Sequence, residues 1–234
     1  MAQLKVYHLT GAWQLFSISP FCLKLDSFLR MTGIPHEAIT APSPFGGPKK
    51  KAPWIEYEGK KLGDSAFIMD FLKRKFGKDP DDHLSQQARG QGIAIQRLVE
   101  EHLYWAMVYD RWCRDENWPM LKDTVLGQLP GPAKLILPPI ARRNIRAQLK
   151  GHGIGLHSSS EIEELAQRDI DALAGILGEQ TWFHGDTISM TDATVYSVLA
   201  NIAFVEFHSP MKGMIAAHEN LTAWLNRFST KVYP

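Results

Sequence analysis

Four short groups of residues in the first third of the chain have the types and spacing to do chemistry together. Ser19-Pro20-Phe21-Cys22 sets a hydroxyl and, three residues on, a thiol at what reads as a helix start, since serine is a favoured N-cap and proline a favoured first helical residue. A helix N-terminus carries unpaired N–H groups and the positive end of the helix dipole, so an anion is stabilised there. Ala52-Pro53 precedes a short strand; the residue before a cis-proline can offer its N–H and C=O to an extended peptide, as one more strand would, and Pro53 is expected to be cis. Asp64-Ser65 opens a further helix, where a hydroxyl and free N–H groups attract a carboxylate and the Asp64 side chain can pair with an amine. Lys49-Lys50-Lys51 could meet a second carboxylate. In that order these groups describe a site that holds a thiol. Each also has a plainer use: Ser19 and Asp64 as caps of their own helices, Pro53 as a shaper of its loop, the lysines as solvated charges.

A free thiol with a pKa of about 8.5 is only about 3% ionised at pH 7. A hydrogen bond to the thiolate contributes roughly 1.5–3 kcal/mol and a helix N-terminus roughly 0.3–1 kcal/mol more. At about 1.36 kcal/mol per unit, these lower a thiol pKa by about 1.5–3 units. Ser19 could therefore make a bound thiol mostly thiolate without a general base. Cys22 stands three residues from a serine and not from a second cysteine, so dithiol exchange is not expected. It is either a thiol with a lowered pKa at the helix start or a small packed residue on the first turn. Tyr7, twelve residues before Ser19, is a further candidate to hold the thiol.

The elements that must position these groups follow from the pattern. Leu4 to Leu9 alternates as a strand; a helix runs from Pro20 to about Met31, ended by Gly33 and Pro35; His36 to Thr40 is a second strand. After a Pro/Gly-rich loop, Trp54 to Glu58 and Lys60 to Leu62 form a hairpin, and Ser65 to Phe76 is an amphipathic helix. The order βαβ then ββα makes a thioredoxin-like α/β domain over residues 1–77, a linker at 78–83, and an all-helical domain over 84–234. In the second part, one long helix is expected from Leu84 to about Arg114, with Leu98, His102, Trp105, Tyr109 and Trp112 as its core stripe. Further helices are expected at Glu161 to Leu177, from the capping box Ser189-Met-Thr-Asp192 to about Phe207, and at Asn220 to Phe228. The Pro-rich stretch from Leu129 to Ile140 reads as a lid, a partner site or a buried crossover.

Composition narrows the classes. The net charge of +1 shows no dominant basic face, so nucleic acid is not an expected partner. Two cysteines make no disulfide framework, the N-terminus has no signal-peptide pattern, and no apolar run is long enough to span a bilayer; a soluble, cytoplasmic protein is expected. The nine histidines show no metal-ligand spacing, and no metal is expected.

Over essentially its whole length the chain resembles the cytosolic glutathione transferase family. Ser19–Met31, Gly153-Ile-Gly-Leu-His157, Phe183-His-Gly-Asp-x-x-Ser-x-x-Asp192 and the terminal Tyr233-Pro234 resemble its failed-axon-connections (Fax) and metaxin-like branch. The resemblance implies the glutathione transferase fold, glutathione as co-substrate and a homodimer. It gives Ser19 the catalytic role of stabilising the thiolate. Lys51, Ala52, Pro53, Asp64 and Ser65 would bind glutathione, with Lys51 at the glycine carboxylate. Trp13, Phe16, Tyr104 and Arg111 would line the side that takes a hydrophobic electrophile. Three activities fit it: a transferase, another glutathione-dependent enzyme (isomerase, dehalogenase or lyase), or a non-enzymatic interaction module like the metaxins.

Overall fold

In the computed structural model, which describes residues 3–127, 131 and 133–234, four short strands make one mixed sheet. They are β1 (Lys5–His8), β2 (Glu37–Thr40), β3 (Trp54–Tyr57) and β4 (Lys60–Gly63), in the order β2-β1-β3-β4. β1 pairs parallel with β2 and antiparallel with β3, and β3 and β4 form a hairpin. A parallel pair needs a crossover, which α1 (Pro20–Thr32) supplies, while α2 (Ser65–Phe76) follows β4. Leu4, Val6 and His8 point into the core and Lys5 and Tyr7 outward, as the alternation requires. The thioredoxin-like domain read from the sequence is present, with strand and helix ends within one or two residues of expectation.

The second, all-helical domain departs further. The expected single helix from Leu84 to Arg114 is helical almost throughout, but in three parts: α3 (Gln86–Arg97), a π-helical stretch (Leu98–Leu103) and α4 (Tyr104–Cys113). Within the wide turn Glu100 faces inward and forms a buried ion pair with Lys24 of α1, and Gln96 donates to the same carboxylate at 2.7 Å. The buried stripe is Ile95, Val99, Leu103, Ala106 and Met107, not the aromatic one. Trp105 and Trp112 lie half-buried at its flank, against His152 and Trp118.

The chain then forms α5 (Trp118–Leu126), α6 (Ala133–His152), α7 (Ser159–Leu177), α8 (Met190–Ala203), α9 (Pro210–Ala216) and α10 (Glu219–Val232). The helix expected to reach Phe207 stops at Ala203, and α9 is an additional short helix. From residue 133 on, the Pro-rich stretch is the start of α6, with Pro138 and Pro139 inside the helix; its residues 129, 130 and 132, like residues 1 and 2, lie outside the described residues. α7 begins with a capping box of its own, Ser158 and Glu161, beside the expected one at Ser189 and Asp192.

Every residue of α8 from Met190 to Ile202 is buried, and α1 is buried from Cys22 to Leu29. The two helices pack along each other; α1 also meets α2 and α10, and α8 also meets α3, α9, α10 and the π-helical stretch, so both are covered on several sides. This joint carries the β1–α1 loop against the helical domain. Among the described residues no helix is long and apolar enough to cross a membrane.

Candidate functional site

Ser19 occupies the N-cap position of α1 with extended backbone (φ −96°, ψ 116°), yet its side chain makes no capping hydrogen bond. The loop before it is fixed by other groups. The Ser17 hydroxyl donates to the Leu9 carbonyl at 2.8 Å and accepts from the Ser19 N–H at 3.2 Å. Asn201, on α8, donates to the Ser17 carbonyl at 3.4 Å, and Arg111, on α4, donates to the Ile18 carbonyl at 2.8 Å. Arg111 also donates to the Asn201 side-chain oxygen at 2.9 Å and to the Asn201 carbonyl. All these partners are neutral oxygens. The guanidinium is buried, and burial brings its pKa down to about 10.

Arg111, expected on the electrophile side, therefore serves as a brace for the residues before Ser19. Tyr104 packs edge-on against Phe21 in the first turn of α1, ring centroids 5.0 Å apart, and burial pushes its phenol up. Cys22 is fully buried, and burial raises its thiol against the smaller opposing effects of Leu9, Ser19 and Ser17. Of the two alternatives for this residue, the geometry is that of the packed one. Tyr7 stacks on Trp54 with centroids 4.8 Å apart and planes within 5°; desolvation and the neighbouring Glu56 carboxylate both raise its pKa.

On the other side of the sheet's end, the Ala52–Pro53 bond is cis, Pro53 is buried and Ala52 half-buried just before β3. Asp64 caps α2, accepting from the Ala66 N–H at 3.1 Å, so the plainer use of this residue is also realised. Its φ is +84°, a region that an aspartate enters only when its surroundings impose it, and residues held this way concentrate at ligand sites. Ser65 is buried as the first residue of α2. Lys49 Nζ lies 3.5 Å from the Asp64 carboxylate and 4.6 Å from the centre of the Phe67 ring. Lys51 is exposed.

A cavity of about 490 Å³ opens beside the β1–α1 loop, lined by Trp13, Phe16, Leu23, Tyr196, Phe204 and Tyr233 among others. Leu23 lies one turn along α1 from Ser19, and its N–H bonds to the Ser19 carbonyl at 2.9 Å. Trp13 and Gln14 form the tip of the loop with φ of 52° and 65°, bridged by the pair Ala12 and Leu15. Trp13 meets Phe207 edge-on at 5.0 Å, and Phe16 leans on His8 at 4.3 Å. The structure thus brings Trp13 and Phe16 together in one cavity and leaves Tyr104 and Arg111 out of its lining. In the sequence Ser17, Asn201, Tyr196 and Phe204 have no expected role, and Tyr233 figures in it only through the terminal Tyr233-Pro234 of the resemblance. Asn201 has a signal, as an amide in the apolar run Val198-Leu-Ala-Asn-Ile202. Among the described residues no group of three or more His, Cys, Asp or Glu is placed to hold a metal.

The fold and this site define a class. The sequence profile of the Glutathione S-transferase N-terminal domain matches residues 20–117, and that of the Glutathione S-transferase C-terminal domain matches residues 166–228. The chain belongs to the glutathione S-transferase family. It is 34% identical to the isoprene-epoxide–glutathione S-transferase of Rhodococcus sp. (strain AD45), over 96% of this chain and 97% of that one. It is 29% identical to Failed axon connections of Drosophila melanogaster over 98% of this chain, which spans 58% of that protein, and 26% identical to Metaxin-1 of Mus musculus over 100% of this chain and 76% of that one. Among solved structures, the beta-etherase LigF from Sphingobium sp. strain SYK-6 superposes with a TM-score of 0.62 at 19% identity, covering 97% of this chain and 95% of that one. A glutathione S-transferase from Methylobacterium radiotolerans, in complex with glutathione sulfonate, gives 0.61 at 18%, covering 99% and 95%.

Proposed function

We propose that this protein binds glutathione across the ends of α1, β3 and α2 and transfers its thiolate to a small hydrophobic electrophile. The observation that carries this reading is Ser19: a hydroxyl at a helix N-terminus that makes no capping bond and is partly exposed. Such a group can donate to a thiolate at the position where the helix dipole also favours it. The γ-glutamyl end would meet Ser65 and the N-terminus of α2, with Asp64 at its amine. The cysteinyl unit would lie along Ala52 and Pro53, and the glycine carboxylate near Lys51. The electrophile would lie in the cavity against Trp13 and Phe16.

The enzyme relative from Rhodococcus is similar along nearly the whole of both chains, and its name points to an epoxide as the first electrophile to try. With an epoxide, the thiolate sulfur bonds to a ring carbon, the carbon–oxygen bond breaks, and the alkoxide takes a proton from water. Positioning and thiolate stabilisation supply the rate, with no covalent enzyme intermediate. A cytoplasmic homodimer, with a glutathione-binding domain over residues 1–77 and a helical domain over 84–234 joined at 78–83, accompanies this reading. The similarity to Failed axon connections and Metaxin-1 favours a second reading, a non-catalytic interaction module.

Conjugation of a small epoxide, followed by loss of free thiol and by mass spectrometry, tests the first. Adduct formed by wild type and reduced tenfold or more in Ser19→Ala supports it. Glutathione binding without turnover of epoxides, aryl halides or enones would favour the second.

A further inference from the structure

We propose that the first half of α6 is a docking surface for an anionic lipid bilayer. Leu135 is 81% exposed, Ile136 58%, Leu137 44% and Ile140 48%. The other exposed large apolar side chains among the described residues, such as Phe45, Ile93 and Ile176, lie apart in sequence, so this is the one place where several sit side by side.

Two features choose the occupant. The first is charge. From Thr124 to Ser160 the sequence holds no Asp or Glu, while it holds Lys134, Arg142, Arg143, Arg146 and Lys150, in a chain whose net charge is only +1. Arg142 is spent on the Trp112 carbonyl and Asp115, and Arg146 reaches the Cys113 carbonyl and, at 3.7 Å, Asp115. Lys134, Arg143 and Lys150 are exposed and make no ion pair among the described residues. At helical spacing Ile136, Ile140, Arg143 and Lys150 share one face, so the apolar end of the stripe runs directly into its cationic end. Apolar side chains flanked by free cations match a surface of anionic headgroups over acyl chains.

The second is shape. Leu135, Ile136 and Leu137 are consecutive, so they fan over about 200° of the helix circumference. A groove on a folded partner takes an i, i+3, i+4, i+7 stripe; Ile136, Leu137 and Ile140 keep that spacing, but Leu135, the most exposed of the four, stands outside it. A fluid interface closes around a splayed wedge. Pro138 and Pro139 have no N–H to give to the carbonyls one turn earlier, so insertion stays at the level of the headgroups, where water reaches those carbonyls.

The test is co-sedimentation of the full chain with vesicles of phosphatidylcholine alone and with roughly 30 mol% phosphatidylserine, together with sedimentation velocity without lipid. Wild type should pellet with the anionic vesicles, weakly with the neutral ones, and be released as salt rises from about 0.1 M to about 0.5 M. Arg143→Gln/Lys150→Gln should lower the partition about twenty-five-fold, at about fivefold per charge. Leu135→Ser/Ile136→Ser/Ile140→Ser should abolish it, and both variants should keep the wild-type melting temperature because the replaced side chains are exposed. Equal binding to both vesicle types, or to neither, would overturn the proposal. So would a dimer that the serine variant turns into monomer, since a second copy would then be what covers this face.

Discussion

The Arg111 guanidinium donates to the Ile18 carbonyl at 2.8 Å, so the carbonyl of the residue preceding Ser19 is held from the helical domain, while its N–H donates to the Thr10 carbonyl of its own domain. Arg111→Met would leave that carbonyl and both Asn201 oxygens without their charged donor, each costing about 1–3 kcal/mol when buried. Removing a buried cation relieves its own desolvation and offsets part of that sum, so a net loss of about 2–4 kcal/mol is expected, lowering the melting temperature by about 5–15 °C. Any glutathione-dependent rate should fall with it, because the loop carrying Ser19 loses its brace. Arg111→Lys should fall between, since one ammonium does not reproduce the fork. Thermal denaturation decides; an Arg111→Met protein that melts with wild type would remove the brace from the account.

Ser19 separates stability from activity. An N-cap serine replaced by alanine ordinarily costs about 1 kcal/mol, but the Ser19 hydroxyl makes no capping bond. Ser19→Ala should therefore melt within about 2 °C of wild type while raising the pKa of bound glutathione by about 1–2 units, the equivalent of the lost hydrogen bond. The ultraviolet absorbance of the thiolate, followed against pH, reads that shift directly. A variant that is destabilised with an unchanged thiol pKa would make Ser19 a cap after all.

Asp64 and Ser65 are the test of the donor site. Glutathione at a hundred times its dissociation constant should add about 2.7 kcal/mol to wild type, worth about 5–10 °C for a chain of this size. Asp64→Ala/Ser65→Ala should abolish that shift and also cost about 1 kcal/mol without ligand, since Asp64 holds the Ala66 N–H. Asp64→Gly separates the two, because glycine accepts the φ of +84° without strain while it too lacks the carboxylate. It should be more stable than Asp64→Ala and equally unable to pair with the glutathione amine.

What was legible in the sequence was local chemistry with a single answer. Gly33 ends its helix in the left-handed conformation, and the Ser189–Asp192 box opens α8, because those residue types leave few alternatives. The aromatic stripe of Trp105, Tyr109 and Trp112 misled because a π turn shifts the register at Leu98–Leu103, and because aliphatic residues one position away pack more closely. Arg111 and Asn201 could not be placed because their partners are backbone carbonyls about ninety and one hundred and eighty residues away, which no periodicity encodes. The cavity walls come from the β1–α1 loop, α1, α8 and the end of α10, brought together only by the α1–α8 joint.

The packing of α3 on α8 gives Gly92 a role of its own. Alanine in place of glycine inside a helix normally gains about 1 kcal/mol. A Cβ at Gly92 would stand 2.6 Å from the Thr191 hydroxyl and 3.3 Å from His184 Nε2. Gly92→Ala should therefore destabilise by about 1–2 kcal/mol, as overpacking does. Thr191→Ala in the same chain removes the nearer atom, and the double variant should recover part of the loss, giving a favourable coupling in a double-mutant cycle.

His184, whose Nε2 lies 2.9 Å from the Thr191 hydroxyl, ties this contact to pH. Burial is the largest influence on it and lowers its pKa, against the opposing pull of Asp192 and Asp81. In the unfolded chain the imidazole takes up its proton near pH 6.5; in the folded chain it does so only at lower pH. Between those two values the unfolded state holds more protons, so stability falls as pH falls. The contribution is complete above the unfolded value and is lost as pH drops through the folded one. Wild type should thus lose more stability between pH 7.5 and pH 5 than His184→Gln, which keeps a hydrogen-bonding group near Thr191 but does not titrate. Urea denaturation at both pH values measures it. Parallel losses in the two proteins would mean that other groups carry the acid sensitivity of this joint, and that the histidine protonates as freely when folded as when unfolded.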